Sequence, residues 1–124
     1  MTGKIFLIIF LCSFAVSAQY RIAYNVAFDS KADDYEIYSM NLDGSDKKNI
    51  TNHKDVAWTY YAWKETLFFI SDRDACKRCY FLYEMDAMGK NVRKISDLQL
   101  EDSWMGSRKN GAEIVVSGRI AKDV

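Results

Sequence analysis

The sequence has no proline, one histidine, three cysteines and no excess charge of either sign among its 124 residues. Lysine and arginine number 17, as do aspartate and glutamate, so the chain lacks the basic balance that binding to nucleic-acid phosphates requires. One histidine cannot build a His-based zinc site, and 124 residues are too few for a two-domain enzyme. Hydrophobic residues make up 49% of the chain, which excludes intrinsic disorder. The composition therefore predicts one folded domain or part of one, with no nucleic-acid partner.

The first residues have the layout of a secretory signal peptide. Lys4 precedes a short apolar run at positions 5–11, and small residues follow as far as Ala18. The run is well short of the ~20 apolar residues that span a bilayer, so the layout favours export over a membrane anchor. We expect residues 1–18 to be removed by a cut between Ala18 and Gln19. The product then lies in the periplasm or at the cell surface, with no stable membrane span.

The three cysteines divide between the signal peptide and the mature chain. Cys12 follows Leu11, where a lipoprotein signal needs a small residue, so lipidation is the less favoured alternative. Cys76 and Cys79 remain after export, and an even pair in an oxidising compartment is expected to form a disulfide. No second pair completes a structural zinc site, and the residues that follow resemble a strand rather than the helix of a thioredoxin-like motif. A local disulfide is predicted; free thiols and a redox or metal site stay open as alternatives.

A repeat of about 45 residues runs through the mature chain. The segment at 37–44, IYSMNLDG, returns at 82–89 as LYEMDAMG. With an offset of 46, the segment at 67–73, LFFISDR, returns at 113–119 as EIVVSGR. Because these matches occur in the same order, chance does not explain them.

Each repeat is predicted to consist of four short strands. The segments are too short and too rich in aromatic and β-branched residues to be helices. Gly44 and Gly89 each end one of them, and a glycine supplies the positive φ of a tight hairpin turn. Four strands in about 45 residues is the size of one propeller blade. The predicted class is all-β, with strands at 35–41, 47–51, 56–62, 67–71, 81–86 and 92–96.

The repeat resembles a known family. The segment 37–52, IYSMNLDGSDKKNITN, and FISDRD at 69–74 resemble the repeat of TolB-like, WD-repeat-like six-bladed β-propellers. The resemblance covers residues 20–124 and implies that 19–124 is a partial propeller domain of about two four-stranded antiparallel blades.

For function, the resemblance implies a non-catalytic exported scaffold for protein–protein interaction. Its expected partner is a protein, such as a peptidoglycan-associated lipoprotein or another envelope protein. The same repeat also occurs in the propeller of prolyl-oligopeptidase-like peptidases. A truncated N-terminal propeller of a secreted serine peptidase is therefore the alternative function, and a small redox protein built on Cys76 and Cys79 is a third.

Two loops depart from the family pattern, which places Trp-Ser-Pro-Asp-Gly before a strand. The loop at 61–65 has neither glycine nor proline, whereas Asn110 and Gly111 keep the turn chemistry in the next repeat. The tightness of the turn at 61–65 is open at this point.

No catalytic, cofactor-binding or metal-binding residues are predicted. His53 lies in a polar segment and has no Gly-x-Ser-x-Gly elbow to serve, so we expect a solvated loop histidine. Three acidic pairs do not match the spaced oxygen ligands of a calcium loop: Asp33 with Asp34, Asp72 with Asp74, and Glu101 with Asp102. An aromatic group is expected to fill space between blades, with a recognition surface as the alternative: Trp58, Tyr60, Tyr61, Trp63 and Trp104.

The length predicts an incomplete propeller. A closed one needs about four blades or more, or roughly 180 residues at the observed spacing, whereas the mature chain has 124 − 18 = 106 residues. We expect a truncated product or a fragment, with an unpaired edge and marginal folding or self-association when it is made alone.

Overall fold

The computed structural model describes residues 20–29, 34–103 and 105–119. Within these ranges the strands form three small antiparallel sheets, and no segment is α-helical. This confirms the all-β class. The described ranges contain no helix that is long and apolar enough to cross a membrane.

The first sheet contains β1 (Arg21–Asp29), β2 (Asp34–Asn41) and β3 (Lys48–Asn49), hydrogen-bonded in that order. β1 and β2 form a long antiparallel pair with a bulge after Ala27. β3 is short and pairs with β2 through two residues, Lys48 and Asn49.

The second sheet has four strands, β4 (Ala57–Trp63), β5 (Thr66–Ser71), β6 (Phe81–Asp86) and β7 (Arg93–Lys94), again in chain order. Successive side chains of β5 point to opposite faces of the sheet, and all of them are buried or half-buried. Both faces of this sheet are therefore covered.

The third sheet contains β8 (Gly106–Arg108) and β9 (Glu113–Val115), joined by a short 3-10 turn. The sequence predicts about two four-stranded sheets, and this number is wrong for the described residues, which hold one. The first sheet has three strands among the described residues.

Strand register follows the repeat. In the first sheet Ile22 pairs with Met40, and in the second Leu67 pairs with Met85. Leu67 follows Ile22 by 45 residues, and Met85 follows Met40 by the same number. The outer strands keep the same offset, since β2 pairs with β3 as β6 pairs with β7. The third sheet resumes the pattern with an offset of 46, where Ser107 and Ile114 occupy the places of Tyr61 and Phe68.

The hairpin turns show the same correspondence. Gly44 has φ +82° and Gly89 has φ +77°, as predicted for glycines in tight turns. The turn between β4 and β5 is also tight, because Trp63 pairs directly with Thr66 across two residues. Lys64 takes the left-handed φ there, at 52°. This turn therefore forms without glycine or proline, and it holds Lys64 in a left-handed conformation that is unfavourable for residues other than glycine.

Two apolar clusters lie on opposite faces of the second sheet. One joins Ile37 and Ile50 of the first sheet region to Phe69 and Met85 of the second. The other packs the opposite face of the second sheet against the chain that leads into the third sheet, through Ile70, Leu82, Leu100 and Met105. The three sheets are thus stacked face to face, with the four-stranded sheet in the middle.

Candidate functional site

The segment after β5 is fixed by the carboxylate of Asp72, which is buried. Its Oδ1 accepts a hydrogen bond from the backbone N–H of Val56 at 3.0 Å, and its Oδ2 accepts one from the backbone N–H of Arg78 at 2.8 Å. One side chain therefore ties the start of β4 to the loop that follows β5. The bond to Arg78 lies within one loop, as is typical of aspartate in turns, whereas the bond to Val56 joins residues 16 apart.

Arg73 follows directly and is 8% exposed. Its guanidinium carbon lies 5.0 Å from the ring centre of Phe69 and 5.3 Å from that of Tyr83, so the cation sits against two aromatic rings. Its Nε donates to Ser71 Oγ at 3.1 Å, and the Tyr83 hydroxyl donates to the Arg73 carbonyl at 3.1 Å. Burial lowers the pKa of Arg73 below its ordinary value and raises the pKa of Tyr83.

The Nη2 of Arg73 is out of contact with solvent and has no hydrogen-bond partner among the described residues. The residue lines a cleft of about 480 Å³, here named the Arg73 cleft, whose other chemistry-bearing residues are His53, Asp74, Tyr83, Arg93 and Lys94. The ammonium of Lys94 lies 3.8 Å from the ring centre of Phe81, on the face of β6 that also carries Tyr83. The fold therefore gathers cations from two separate parts of the chain at one cleft.

Cys76 and Cys79 lie in the loop between β5 and β6, with Cα atoms 5.2 Å apart, and the structure joins them as a disulfide. That separation is within the range that a disulfide spans. The Cys79 N–H donates to the Cys76 carbonyl at 2.8 Å, and Arg78 takes a left-handed φ of 63°. This geometry allows the predicted bond, and its presence in the exported protein stays a prediction.

His53 is half-buried between β3 and β4. Its Nδ1 accepts a hydrogen bond from the Asp55 backbone N–H at 3.2 Å, and the Asp55 carboxylate lies 3.4 Å away. The His53 backbone N–H donates to the buried carboxylate of Glu36, which also contacts the Thr51 hydroxyl. These contacts hold the loop against the first sheet and place the imidazole at the rim of the Arg73 cleft.

The acidic pairs do not converge on a common point. Asp72 binds backbone N–H groups, and Glu101 pairs with Arg119, its Oε1 2.8 Å from the arginine Nε. In the part of the chain that the structure describes, no three histidine, cysteine or carboxylate groups lie close enough to hold a metal ion.

The aromatic group of β4 packs into the stack of sheets. The rings of Trp58 and Tyr35 are 4.5 Å apart, which joins the second sheet to the first. The hydroxyl of Tyr61 lies 2.7 Å from Ser107 Oγ, a contact with the third sheet. Trp63 is pressed so closely on Gly111 that a Cβ at that glycine would lie 2.3 Å from its ring. Trp58, Tyr61 and Trp63 therefore serve packing between sheets, which agrees with the interpretation favoured from the sequence.

The first sheet carries an apolar face that no described residue of another sheet covers. We name it the outer face; alternation along β1 and β2 places its members on one side of the sheet, and Phe28 is 57% exposed. The Tyr38 ring lies 5.9 Å from Tyr24 and 6.1 Å from Phe28. The opposite side of the same strands packs on the second sheet through Ile37. The outer face consists of Ile22, Tyr24, Val26, Phe28, Tyr38 and Met40.

Sequence reasoning missed both the outer face and the Arg73 cleft. Alternation of apolar residues at 22, 24, 26 and 28 was a usable signal for the outer face. The burial of Arg73 had no local signal, because it depends on contacts with the rings of Phe69 on β5 and Tyr83 on β6.

Several predicted features lie outside the described residues. These are the signal peptide at 1–18, its cleavage point between Ala18 and Gln19, Cys12, Asp33 and Trp104. Compared with protein-family models, curated proteins and solved structures, the chain has no match.

Proposed function

We propose that the chain is an exported, non-catalytic scaffold built from TolB-like β-propeller repeats, and that it binds a protein partner in the cell envelope. The observation that carries this proposal is the strand register, which repeats within the chain. Ile22 with Met40 and Leu67 with Met85 are the same pair, 45 residues apart. A unit that repeats strand for strand and covers its neighbour's face is characteristic of a blade.

The way the sheets stack adds support. Ile37 of the first sheet packs against Phe69 and Met85 of the second, and the other face of the second sheet is covered in turn. Each sheet thus buries its apolar surface on the next one, as repeat proteins do. Surfaces of that kind serve as rigid platforms for protein partners.

Export is supported by the cysteines. The loop holds Cys76 and Cys79 at a separation that a disulfide spans, and such bonds persist in oxidising compartments. The signal peptide predicts that the exported product begins at Gln19. Mass spectrometry of the product from the periplasm or culture medium measures this directly. An intact Met1 or a lipid on Cys12 would contradict it.

Partner binding is tested with purified peptidoglycan-associated lipoprotein as the probe. The exported chain is immobilised, and saturable binding is measured by surface plasmon resonance. The control is Phe69→Asp, which places a charge at a fully buried position and destroys the stack of sheets. We expect saturable binding that the control loses. A binding response that is equal in the control, or absent in both proteins, argues against this partner. A separate observation tests the alternative function: a downstream reading frame that encodes a Gly-x-Ser-x-Gly elbow would favour the peptidase propeller.

A further inference from the structure

We propose that the Arg73 cleft binds a small oxyanion, a phosphate or carboxylate group, which bonds to the guanidinium of Arg73. This site is independent of the scaffold role and does not require a protein partner. The volume of about 480 Å³ is within the range of small-molecule sites.

Arg73 is the lining cation that has no ion-pair partner among the described residues. Arg73, Arg93 and Lys94 line the cleft together with the carboxylate of Asp74. Glu84 pairs with Arg93 at 2.6 Å and Asp97 pairs with Lys94 at 2.7 Å, and these two pairs offset the charges of Arg93 and Lys94. The guanidinium of Arg73 is therefore the group in the cleft that is left to attract a small anion.

Arg73 differs from the other two cations because it is buried. A buried charge is costly unless it is paired, and no carboxylate among the described residues forms an ion pair with this guanidinium. Phe69 and Tyr83 contact the face of the group, and Ser71 accepts a bond from Nε, whereas Nη2 has no partner. What is missing is an acceptor at the edge of the guanidinium.

The edge of a guanidinium carries N–H donors in a planar fork, and oxyanions are the acceptors that match this fork. The stacking on two rings fixes the orientation of the plane, so little freedom is lost when an anion binds. Lys94 and Arg93 add long-range attraction. Arg93 is 68% exposed and Asp97 is 96% exposed, and ion pairs that involve such exposed groups are weak.

The experiment titrates the full exported chain with inorganic phosphate in one arm and acetate in the other, by isothermal titration calorimetry at matched ionic strength, with chloride as the reference salt. We expect saturable binding of at least one oxyanion, and which arm binds identifies the preferred group. Lys94→Gln is expected to weaken binding about fivefold, because it removes one nearby charge. Lys47→Gln makes the same charge change at an exposed position away from the cleft and is expected to leave binding unchanged.

Arg73→Gln is expected to abolish binding. Because Arg73 is buried, this variant can also unfold, and circular dichroism distinguishes the two outcomes. If it does unfold, Lys94→Gln and Arg93→Gln carry the test, since Arg93 is 68% exposed and its loss leaves the core intact. Absence of saturable binding in both arms overturns the proposal, as does an affinity that these two variants leave unchanged.

Discussion

The ring of Phe69 stacks on the ring of Tyr83 with centres 5.6 Å apart, under the first sheet. Forty-five residues earlier, Tyr24 and Tyr38 form the same pair at 5.9 Å. The first pair is buried, whereas the second lies on the outer face of the first sheet. In the buried copy, the surface that covers the ring pair is the Ile37 side of another sheet of the same type. We expect a similar surface to fit over Tyr24 and Tyr38.

We predict that the chain self-associates through the outer face when it is purified alone, with a second copy covering Tyr24 and Tyr38. Phe28→Ser is expected to weaken association, because it removes an exposed aromatic ring from this face. Met88→Ser is the control, since Met88 is 50% exposed and lies in the turn after β6, in the second sheet. Size-exclusion chromatography with light scattering at several concentrations measures the effect. A monomer at all concentrations, with a sharp cooperative unfolding transition, would show this prediction to be wrong.

Gly89 and Gly44 occupy equivalent turns and give a matched pair of substitutions. Gly44→Ala is expected to cost about 1–2 kcal/mol of stability, because φ is positive there. A Cβ at this position meets open space, so no clash adds to that cost. At Gly89 a Cβ would lie 2.0 Å from the Ile50 carbonyl oxygen, so the alanine adds a clash with the first sheet. We expect Gly89→Ala to cost a further ~1–3 kcal/mol. Chemical denaturation measures both values, and equal losses would show that the two turns have the same surroundings in solution.

Lys64 has a left-handed φ of 52° in a two-residue turn. Lys64→Gly is expected to stabilise the protein by about 0.5–1 kcal/mol, since relief of the left-handed strain exceeds the entropy cost of glycine. Glu65→Gly is the control, because Glu65 has no positive φ and the change adds only the entropy cost. Thermal unfolding of the two variants is expected to shift the melting temperature in opposite directions. A loss of stability in Lys64→Gly would contradict the turn geometry.

The cysteine pair provides a chemical test. Thiol labelling of the exported protein under denaturing, non-reducing conditions is expected to modify neither Cys76 nor Cys79, because oxidising export bonds them. After reduction both are expected to react. The bond closes a very small loop, so reduction is expected to change the melting temperature only modestly. Quantitative labelling of both cysteines before reduction would refute the bridge.

Asp86 gives the protein a sensitivity to acid. The Lys90 backbone N–H, together with the N–H of Met88 and the amide of Asn91, lowers the pKa of the Asp86 carboxyl. A carboxyl whose pKa is lower in the folded than in the unfolded chain stabilises the fold above its unfolded pKa. This stabilisation is lost as the pH falls through the folded pKa. Asp86→Asn is therefore expected to narrow the difference in melting temperature between about pH 6 and pH 3. Asp102→Asn, an exposed control, is expected to keep the wild-type difference.

Much of the local structure was predictable from the sequence. The strands at 35–41 and 81–86 and the turns at Gly44 and Gly89 agree with the structure to within a residue or two. These features depend on neighbouring residues: strand alternation and the positive φ of a turn glycine are properties of short segments. The turn at Lys64 carried no such signal, because the pairing of β4 with β5 imposes its φ on a residue that disfavours it.

The sequence by itself determined the all-β class, the period of 45 residues and the position of the tight turns. The tertiary structure alone decided which copy of each repeated position is buried. Phe69 and Tyr24 hold the same place in the repeat, yet only Phe69 lies beneath another sheet. It also decided the environment of Arg73, whose guanidinium is buried against the rings of Phe69 and Tyr83 and whose Nη2 has no acceptor among the described residues. Burial is a property of contacts between distant segments, and the local pattern of residues does not contain it.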